Sequence, residues 1–184
     1  NFVAGDQVTD FSVTMDTTTN IANAAVVDAT KATGAIDVKE INYAGTTITG
    51  IKDQNVTVTE AVAGATSSKA TINLAGKSTI TNGVDELTLN ATAATEATVN
   101  NIAAAADGFI KLQGSGDIIL NSTGLSGKKL INEATGKVDL VVGAITTATD
   151  FSKVEKVSSI EIGAVTAVAT DIITLANGQN IISG

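Results

Sequence analysis

The chain offers few side chains that could do chemistry, because its 184 residues include no His, no Cys and no Arg. Zinc sites with nitrogen or sulfur ligands, Ser-His-Asp triads and Cys-His dyads all depend on residues that are missing. Nineteen carboxylates remain, but a glycosidase needs two of them facing each other across a cleft, and nothing in the sequence pairs any two in this way. We therefore expect that the chain is not an enzyme.

Two glycine-containing stretches imitate phosphate-binding loops. Residues 76–79, Gly-Lys-Ser-Thr, match the end of the nucleotide-binding pattern, but Thr71 stands where its first Gly belongs. The residues that follow read as a strand and a turn, whereas the pattern requires a helix. Residues 114–116, Gly-Ser-Gly, begin a dinucleotide fingerprint, but Ile119 occupies the third Gly position. The second stretch is therefore interpreted as a corner between strands at 109–113 and 117–121.

Calcium is harder to exclude than zinc or a nucleotide. Asp107 precedes Gly108 and Asp117 follows Gly116, so both carboxylates are placed at turns and could act as oxygen ligands. These two residues are the candidate metal ligands, either within the chain or in a site shared with a neighbouring molecule. The alternative is that they only form turns. The Gly-Gly-x-Gly-x-Asp nonapeptide of calcium β-rolls is missing, since no Gly-Gly pair occurs.

Charge and hydropathy exclude two classes of partner. The net charge is −8, all eleven basic residues are Lys, and the pI is near 4.4, so a nucleic-acid backbone would be repelled. No stretch approaches the roughly 20 apolar residues of a membrane-spanning helix. No linker-like segment divides the chain, which predicts a single domain over 1–184. The chain starts at Asn1 without a signal peptide, and we expect it to be part of a longer secreted protein.

A short pattern of apolar residues, which we call a phrase, recurs in the segments 84–91, 38–44 and 157–164. This recurrence indicates the architecture. Each phrase places apolar residues at its first, fourth and sixth positions, as Val84, Leu87 and Leu89 do in the first phrase. Recurrence without a shared catalytic residue is typical of stacked repeats. Most neighbouring strands are predicted to begin roughly 9 to 14 residues apart, near Ile36, Thr46, Val56, Ala70, Leu87, Thr98, Phe109, Ile118, Leu130, Val138, Ile160 and Ile172.

This spacing predicts an all-β fold, either a parallel β-solenoid (β-helix) or a β-sandwich. The solenoid is favoured because aromatic residues make up 3% of the chain, Pro is absent, and only Asn82-Gly83 resembles a two-residue hairpin turn. Short irregular or helical insertions are also expected. Residues 21–32 fit either a short helix or a strand at 25–27, and residues 101–107, with four consecutive alanines, fit a helix.

The chain resembles bacterial surface-layer proteins of Gram-negative bacteria, exported by type I secretion and related to the repeats-in-toxin family. The resemblance lies in acidic, Cys-free strands rich in Thr, Ala, Asn and Gly and in the Val-x-Glu-Leu-x-Leu-Asn-Ala phrase at 84–91. It also lies in the succession of strand, turn, Gly-Ser-Gly-Asp and strand over 96–120. It implies a secreted, extracellular β-solenoid that self-assembles into a paracrystalline coat on the cell surface. It also implies that calcium stabilises the lattice, and that lipopolysaccharide or another surface glycan is bound through other parts of the protein.

Three other functions are open at this point. The chain could be an adhesin segment that binds surface glycans, or a polysaccharide lyase or hydrolase of the β-helix kind, although such lyases use Arg and sugar sites use aromatic residues. The Thr-x-Thr motifs at 47–49, 57–59 and 79–81 are similar to the arrays of ice-binding solenoids. Three motifs are too few for a flat array, so we expect these threonines to be ordinary outward-facing strand residues.

Overall fold

The computed structural model describes residues 2–5, 10–14, 25–41, 45–52, 54–60, 68–92, 96–100, 102, 104, 108–121, 124–143, 145, 147–163 and 173–183. Within these ranges the regular structure is β throughout, with no helix. The strands are β1 (Phe2–Val3), β2 (Phe11–Thr14), β3 (Ala25–Asp28), β4 (Ile36–Ile41), β5 (Thr46–Ile51), β6 (Gln54–Glu60), β7 (Lys69–Leu74), β8 (Ser78–Gly83), β9 (Glu86–Ala91), β10 (Ala97–Asn100), β11 (Phe109–Gly114), β12 (Ile118–Asn121), β13 (Lys129–Asn132), β14 (Val138–Val142), β15 (Thr149–Phe151), β16 (Ser159–Ile162), β17 (Ile173–Leu175) and β18 (Ile181–Ser183).

The chain alternates between two sheets as it winds forward. The odd-numbered strands β1 to β13 form a seven-stranded sheet, which we call sheet A, and the even-numbered strands β2 to β18 form a nine-stranded sheet, sheet B. Strands β15 and β17 make a separate two-stranded sheet. Every pairing between these strands is parallel. A strand therefore pairs with the one that occupies the same place in the next coil.

This arrangement is a parallel β-solenoid, and it confirms the favoured prediction. It excludes the sandwich, because a sandwich joins consecutive strands as antiparallel hairpins. The Asn82-Gly83 pair shows the difference directly. These residues end β8 in sheet B, and the chain bends at 84–85 before it enters β9 in sheet A, so the pair forms no hairpin.

Alternation of side chains along each strand builds the core. In the centre of sheet A, Leu89 is fully buried and lies in register with Ile72 on one side and Leu112 on the other. In sheet B a corresponding column runs through Val99, Leu120, Leu140 and Ile160, all fully buried. These residues belong to one hydrophobic cluster. Aliphatic side chains of similar size thus stack coil upon coil and fill most of the interior, and Phe151 is the one fully buried ring among the described residues.

Coil length varies, and irregularities absorb the variation. Side-chain hydrogen bonds between neighbouring coils join residues that are 17, 20, 21 or 24 positions apart. The register shifts within the β4–β6 and β5–β7 pairs. Gly114 ends β11 with φ +97°, and a side chain there would overlap the Ala91 carbonyl group of the preceding coil. Only glycine combines that backbone conformation with so close an approach.

Most strand positions follow the sequence prediction. β4, β5, β11, β12 and β14 begin at the predicted residue, and β6, β7, β9, β10, β13 and β16 begin one or two residues earlier. The undecided segment contains strand β3, Ala25–Asp28, while its first four residues lie outside the described residues. Most of 101–107 also lies outside them, and the described Ile102 and Ala104 are buried without regular structure.

The three repeated phrases do not stack on one another. Val84, Leu87 and Leu89 are buried as expected, but this phrase contributes to sheet A. The phrases at 38–44 and 157–164 contribute β4 and β16 to sheet B, where five strands separate them. The three phrases therefore share the apolar pattern with which a strand begins. They do not occupy neighbouring positions in the solenoid.

Candidate functional site

Acidic side chains at the corners of the coils are engaged with the backbone of the next coil. Asp10 accepts a hydrogen bond from the Ala35 N–H at 3.0 Å, and Asp117 accepts one from the Lys137 N–H at 2.7 Å. The pairs are 25 and 20 residues apart in sequence. Backbone donors at corners lie beyond the strand ladders and still need acceptors. These carboxylates supply them, and so join successive coils.

Asp85 and Ser68 form the most complete of these corner contacts. The Asp85 carboxylate accepts from the Ser68 backbone N–H at 3.0 Å, and the Asp85 N–H donates to the Ser68 Oγ at 3.1 Å. The carbonyl group of Asp85 then accepts from the Phe109 N–H in the following coil at 2.8 Å. One aspartate thus connects three successive coils, and its acceptor groups are directed at the protein itself.

The structure describes one of the two candidate calcium ligands, Asp117. Asp107 lies outside the described residues. Asp117 is exposed at its turn, and its carboxylate holds the Lys137 N–H as described. The nearby Lys137 ammonium has a raised pKa, caused first by its contact with the Asp139 carboxylate at 2.6 Å and then by the charges of Asp117 and Glu96. The described residues contain no group of three acids that could hold a metal ion, so calcium stays a prediction.

Amide ladders occupy the outer faces of both sheets. Asn90 donates from its side-chain amide to the Asn73 amide oxygen at 2.8 Å on sheet A, and Asn121 does the same to Asn100 at 2.8 Å on sheet B. On sheet A the row continues with Gln113 beside Asn90. Like residues stacked in register satisfy one another across parallel strands, as they do in other cross-strand ladders. These amides also serve coil stacking and do not converge on a cleft.

Ion pairs on sheet A join coils in the same way. Lys69 contacts Glu86 at 3.1 Å, and Lys111 contacts Glu133 at 2.9 Å. The Lys69 side chain is about half exposed, so the pair is screened by solvent and contributes little to stability. The Lys129 ammonium lies 6.0 Å from the centre of the Phe109 ring in the neighbouring strand. Charge on this face is thus largely balanced within the molecule.

The Thr-x-Thr motifs are divided between the two sheets. Thr47 lies on β5 in sheet A, where it is in register with Thr71, whereas Thr57 and Thr81 are in register on sheet B. Because the motifs lie on separate sheets, they cannot form one flat array. The prediction of outward-facing strand threonines is confirmed for the exposed Thr81 and for the half-buried threonines of the three motifs, which are Thr47, Thr49, Thr57, Thr59 and Thr79.

The sequence analysis did not predict that a pair of polar side chains is buried in the core. Gln54 and Ser78 are 5% and 2% exposed and are adjacent in register at the inner face of sheet B. The Gln54 amide donates to the Ala32 carbonyl oxygen and accepts from the Lys52 N–H. Ser78 belongs to the stretch that imitates a nucleotide-binding loop, but it begins strand β8, so the helix that such a loop needs does not follow. The corner interpretation of 114–116 is confirmed, since these residues link β11 to β12.

The first and last strands that the structure describes expose residues that are in register with the core. Phe2 is in register with the fully buried Val27, yet it is 42% exposed. At the opposite end, Ile181 continues the column of the buried Ile160 and is 50% exposed. The large exposed hydrophobic residues in the described part of the chain all lie in β1, β3 or β18: Phe2, Val3, Val26, Ile181 and Ile182. Exposed apolar surface is therefore concentrated at the ends.

No protein-family model matches the chain, and neither a curated protein nor a solved structure is similar to it at a significant level. Within the described ranges there is no helix long and apolar enough to cross a membrane. The function is therefore inferred from the residues and their arrangement.

Proposed function

We propose that this chain is a structural, self-assembling module of a bacterial surface layer, which forms a paracrystalline coat outside the cell. One observation carries the proposal: several of the polar side chains that could do chemistry bind neighbouring coils instead. Asp10, Asp85 and Asp117 bind the backbone of adjacent coils, and the paired asparagines bind each other. A protein whose polar groups are directed inward at its own repeats is built to be a rigid scaffold.

The outer faces of the two sheets support self-association. In the described part of the chain these faces carry amides, hydroxyls and ion pairs. Surfaces of this kind suit the wide, wet lateral contacts of a lattice, in which each contact is weak and repeated many times.

Calcium and a surface glycan are part of the same proposal. With a net charge of −8, copies of the chain repel each other, and a divalent cation bridging carboxylates of two molecules would offset that repulsion. Asp117 remains the candidate ligand of such a site, because its carboxylate is exposed at the turn although its Oδ1 accepts the Lys137 N–H. The attachment to lipopolysaccharide or another cell-surface glycan is assigned to other parts of the protein.

The test is the assembly state of the purified chain as a function of calcium. Light scattering coupled to size-exclusion chromatography, followed by negative-stain electron microscopy, is performed at high protein concentration with calcium chloride or with a chelator. Sodium chloride at matched ionic strength separates bridging by calcium from simple screening of charge. We expect ordered arrays that calcium promotes more than sodium does. A monodisperse monomer under every condition would contradict the proposal.

A further inference from the structure

We infer that the core of the solenoid binds a water molecule between the side chains of Gln54 in strand β6 and Ser78 in strand β8. The water bridges the two side chains and joins two successive coils from the inside, in a column whose later members are aliphatic. The site lies in the interior of the described chain, and its occupancy does not depend on the proposed assembly.

The hydroxyl group of Ser78 is enclosed in the core without a protein partner. Ser78 is 2% exposed, and its Oγ atom has no hydrogen-bond partner among the residues that the structure describes. Ile80, the next inward residue of β8, is fully buried. A hydroxyl group buried in this way gives up its hydrogen bonds to water on folding and gains none in return, which is unfavourable. A ligand that hydrogen-bonds to Oγ removes that penalty.

The side chain of Gln54 supplies further hydrogen-bonding groups at the same place. Gln54 is 5% exposed and lies in register with Ser78 on the neighbouring strand. Its amide nitrogen donates to the Ala32 carbonyl oxygen, and its amide oxygen accepts from the Lys52 N–H at 3.1 Å. A carboxamide has a second hydrogen and a second lone pair, which these two contacts leave available. Buried polar groups with spare capacity in neighbouring coils are the partners that a buried water requires.

The column of inward side chains is narrowest at Ser78. In sheet B this column runs from Gln54 through Ser78 to Val99 and Leu120. Ser78 is the smallest of the four, whereas the distance between neighbouring strands is about 4.8 Å throughout a sheet. Ala97, the inward residue before Val99 in β10, is fully buried and adds only a methyl group to this part of the core. A serine between larger neighbours leaves room beside its hydroxyl group, and polar groups around such room favour hydration.

The chemistry of the site selects water over an ion or a larger molecule. Both side chains are neutral, and each of them can donate as well as accept a hydrogen bond. Water can accept from the Ser78 hydroxyl group and donate to the Gln54 amide oxygen, whereas an ion would lose its hydration without gaining an opposite charge. The fully buried Ile80 and Val99 pack closely around the site, so a larger neutral molecule does not fit.

The bridge lies where the backbone ladder of sheet B is short. Six residues of β8 are in register with β6, but β10 is in register with Ser78 and Thr79 alone among the described pairs. The position of Ser78 therefore matters for the pairing of β8 with β10. A water that ties Ser78 to Gln54 holds the start of β8 in place for that pairing.

Magnetic relaxation dispersion of the oxygen-17 signal of water tests this site in the full chain, because it detects water molecules that stay bound inside a protein. The test variant is Ser78→Val, which places at this position the residue type that follows in the column at Val99. The matched control is Thr79→Val, at the half-buried, outward-facing neighbour in β8. We expect the dispersion amplitude to fall by the contribution of one water molecule in the test variant and to stay unchanged in the control. An amplitude that Ser78→Val leaves unchanged would overturn the inference.

The stability of Ser78→Ala gives an independent readout with the opposite sign for a dry site. If the hydroxyl group holds a water, its removal leaves Gln54 without that partner, and the urea midpoint falls; if the hydroxyl group is unpaired, its removal relieves a penalty, and the midpoint rises. A midpoint that rises or does not change refutes the bound water. If neither variant folds, a high-resolution crystal structure of the unmodified chain decides: a water within about 3.2 Å of Ser78 Oγ and of the Gln54 carboxamide confirms the site, and a protein group in that position refutes it.

Discussion

Leu89→Ala is the substitution that most sharply tests how the coils hold together. Leu89 is fully buried in the middle of sheet A, between Ile72 and Leu112, which are fully buried as well. Parallel backbone ladders on both sides fix the spacing of these neighbours, so the cavity left by the substitution cannot collapse. Leu→Ala substitutions in cores cost about 2–5 kcal/mol, and poorly relaxing sites lie toward the upper end. We expect a loss of about 3–5 kcal/mol.

Urea unfolding followed by circular dichroism measures this loss. With a slope of roughly 1–3 kcal/mol per molar urea, the midpoint should fall by at least about 1 M. The matched control is Thr88→Ala in the same strand, whose half-buried side chain points outward, and which should change stability by no more than about 0.5 kcal/mol. A Leu89→Ala variant as stable as the Thr88→Ala variant would refute the stacked-column account of the core.

Two further predictions concern the glycine at the end of β11 and the carboxylate of Asp28. Gly114→Ala should lower the free energy of unfolding by about 1–3 kcal/mol, because the new side chain strains the backbone at φ +97° and overlaps the preceding coil. The thermal midpoint should fall accordingly. The control Gly143→Ala places its side chain in open space and should leave the thermal midpoint unchanged or slightly raised. Hydrogen bonds from Thr30 lower the pKa of the Asp28 carboxyl group in the folded state. The ionised carboxylate therefore stabilises the fold fully above about pH 4, and this stabilisation is lost as the pH falls through the lowered pKa of the folded state. In urea titrations from pH 7 to pH 2, Asp28→Asn should therefore weaken the acid dependence of the midpoint, and an identical dependence would contradict this.

The stacking of coils could be predicted from the sequence because it follows from local pattern. Short aliphatic alternations bounded by Gly and Asn determine where strands begin, and the shortage of rings and of hairpin turns favoured parallel stacking. Strand β8 was recognised only as a short run after residues 76–79, while β1, β15 and β18 were missed. The apolar residues of β15 and β18, such as Phe151 and Ile181, are few and closely follow other strands. Such short strands exist because the neighbouring coil pairs with them, which a local pattern does not reveal.

The contacts between coils could not be predicted, because coil length is irregular. Asp117 was predicted as a calcium ligand at a turn, and that prediction did not extend to its hydrogen bond with Lys137, which depends on a spacing of 20 residues, whereas the Asp85 contact spans 17. Without the register, neither partner can be identified from the sequence. The burial of Gln54 beside Ser78 was missed for the same reason, since an isolated polar residue in a strand is normally assigned to the outer face.

The most direct test of the account is a set of methyl–methyl nuclear Overhauser contacts in the chain labelled at its Ile and Leu methyl groups. The parallel solenoid predicts contacts from Leu89 to Ile72 and to Leu112, which precede and follow it by one full coil. It also predicts that the strand backbone of β9 contacts β7 and β11, and not β8. Antiparallel backbone contacts between β8 and β9, with Leu89 out of reach of Leu112, would contradict the stacked architecture and the assembly proposed from it.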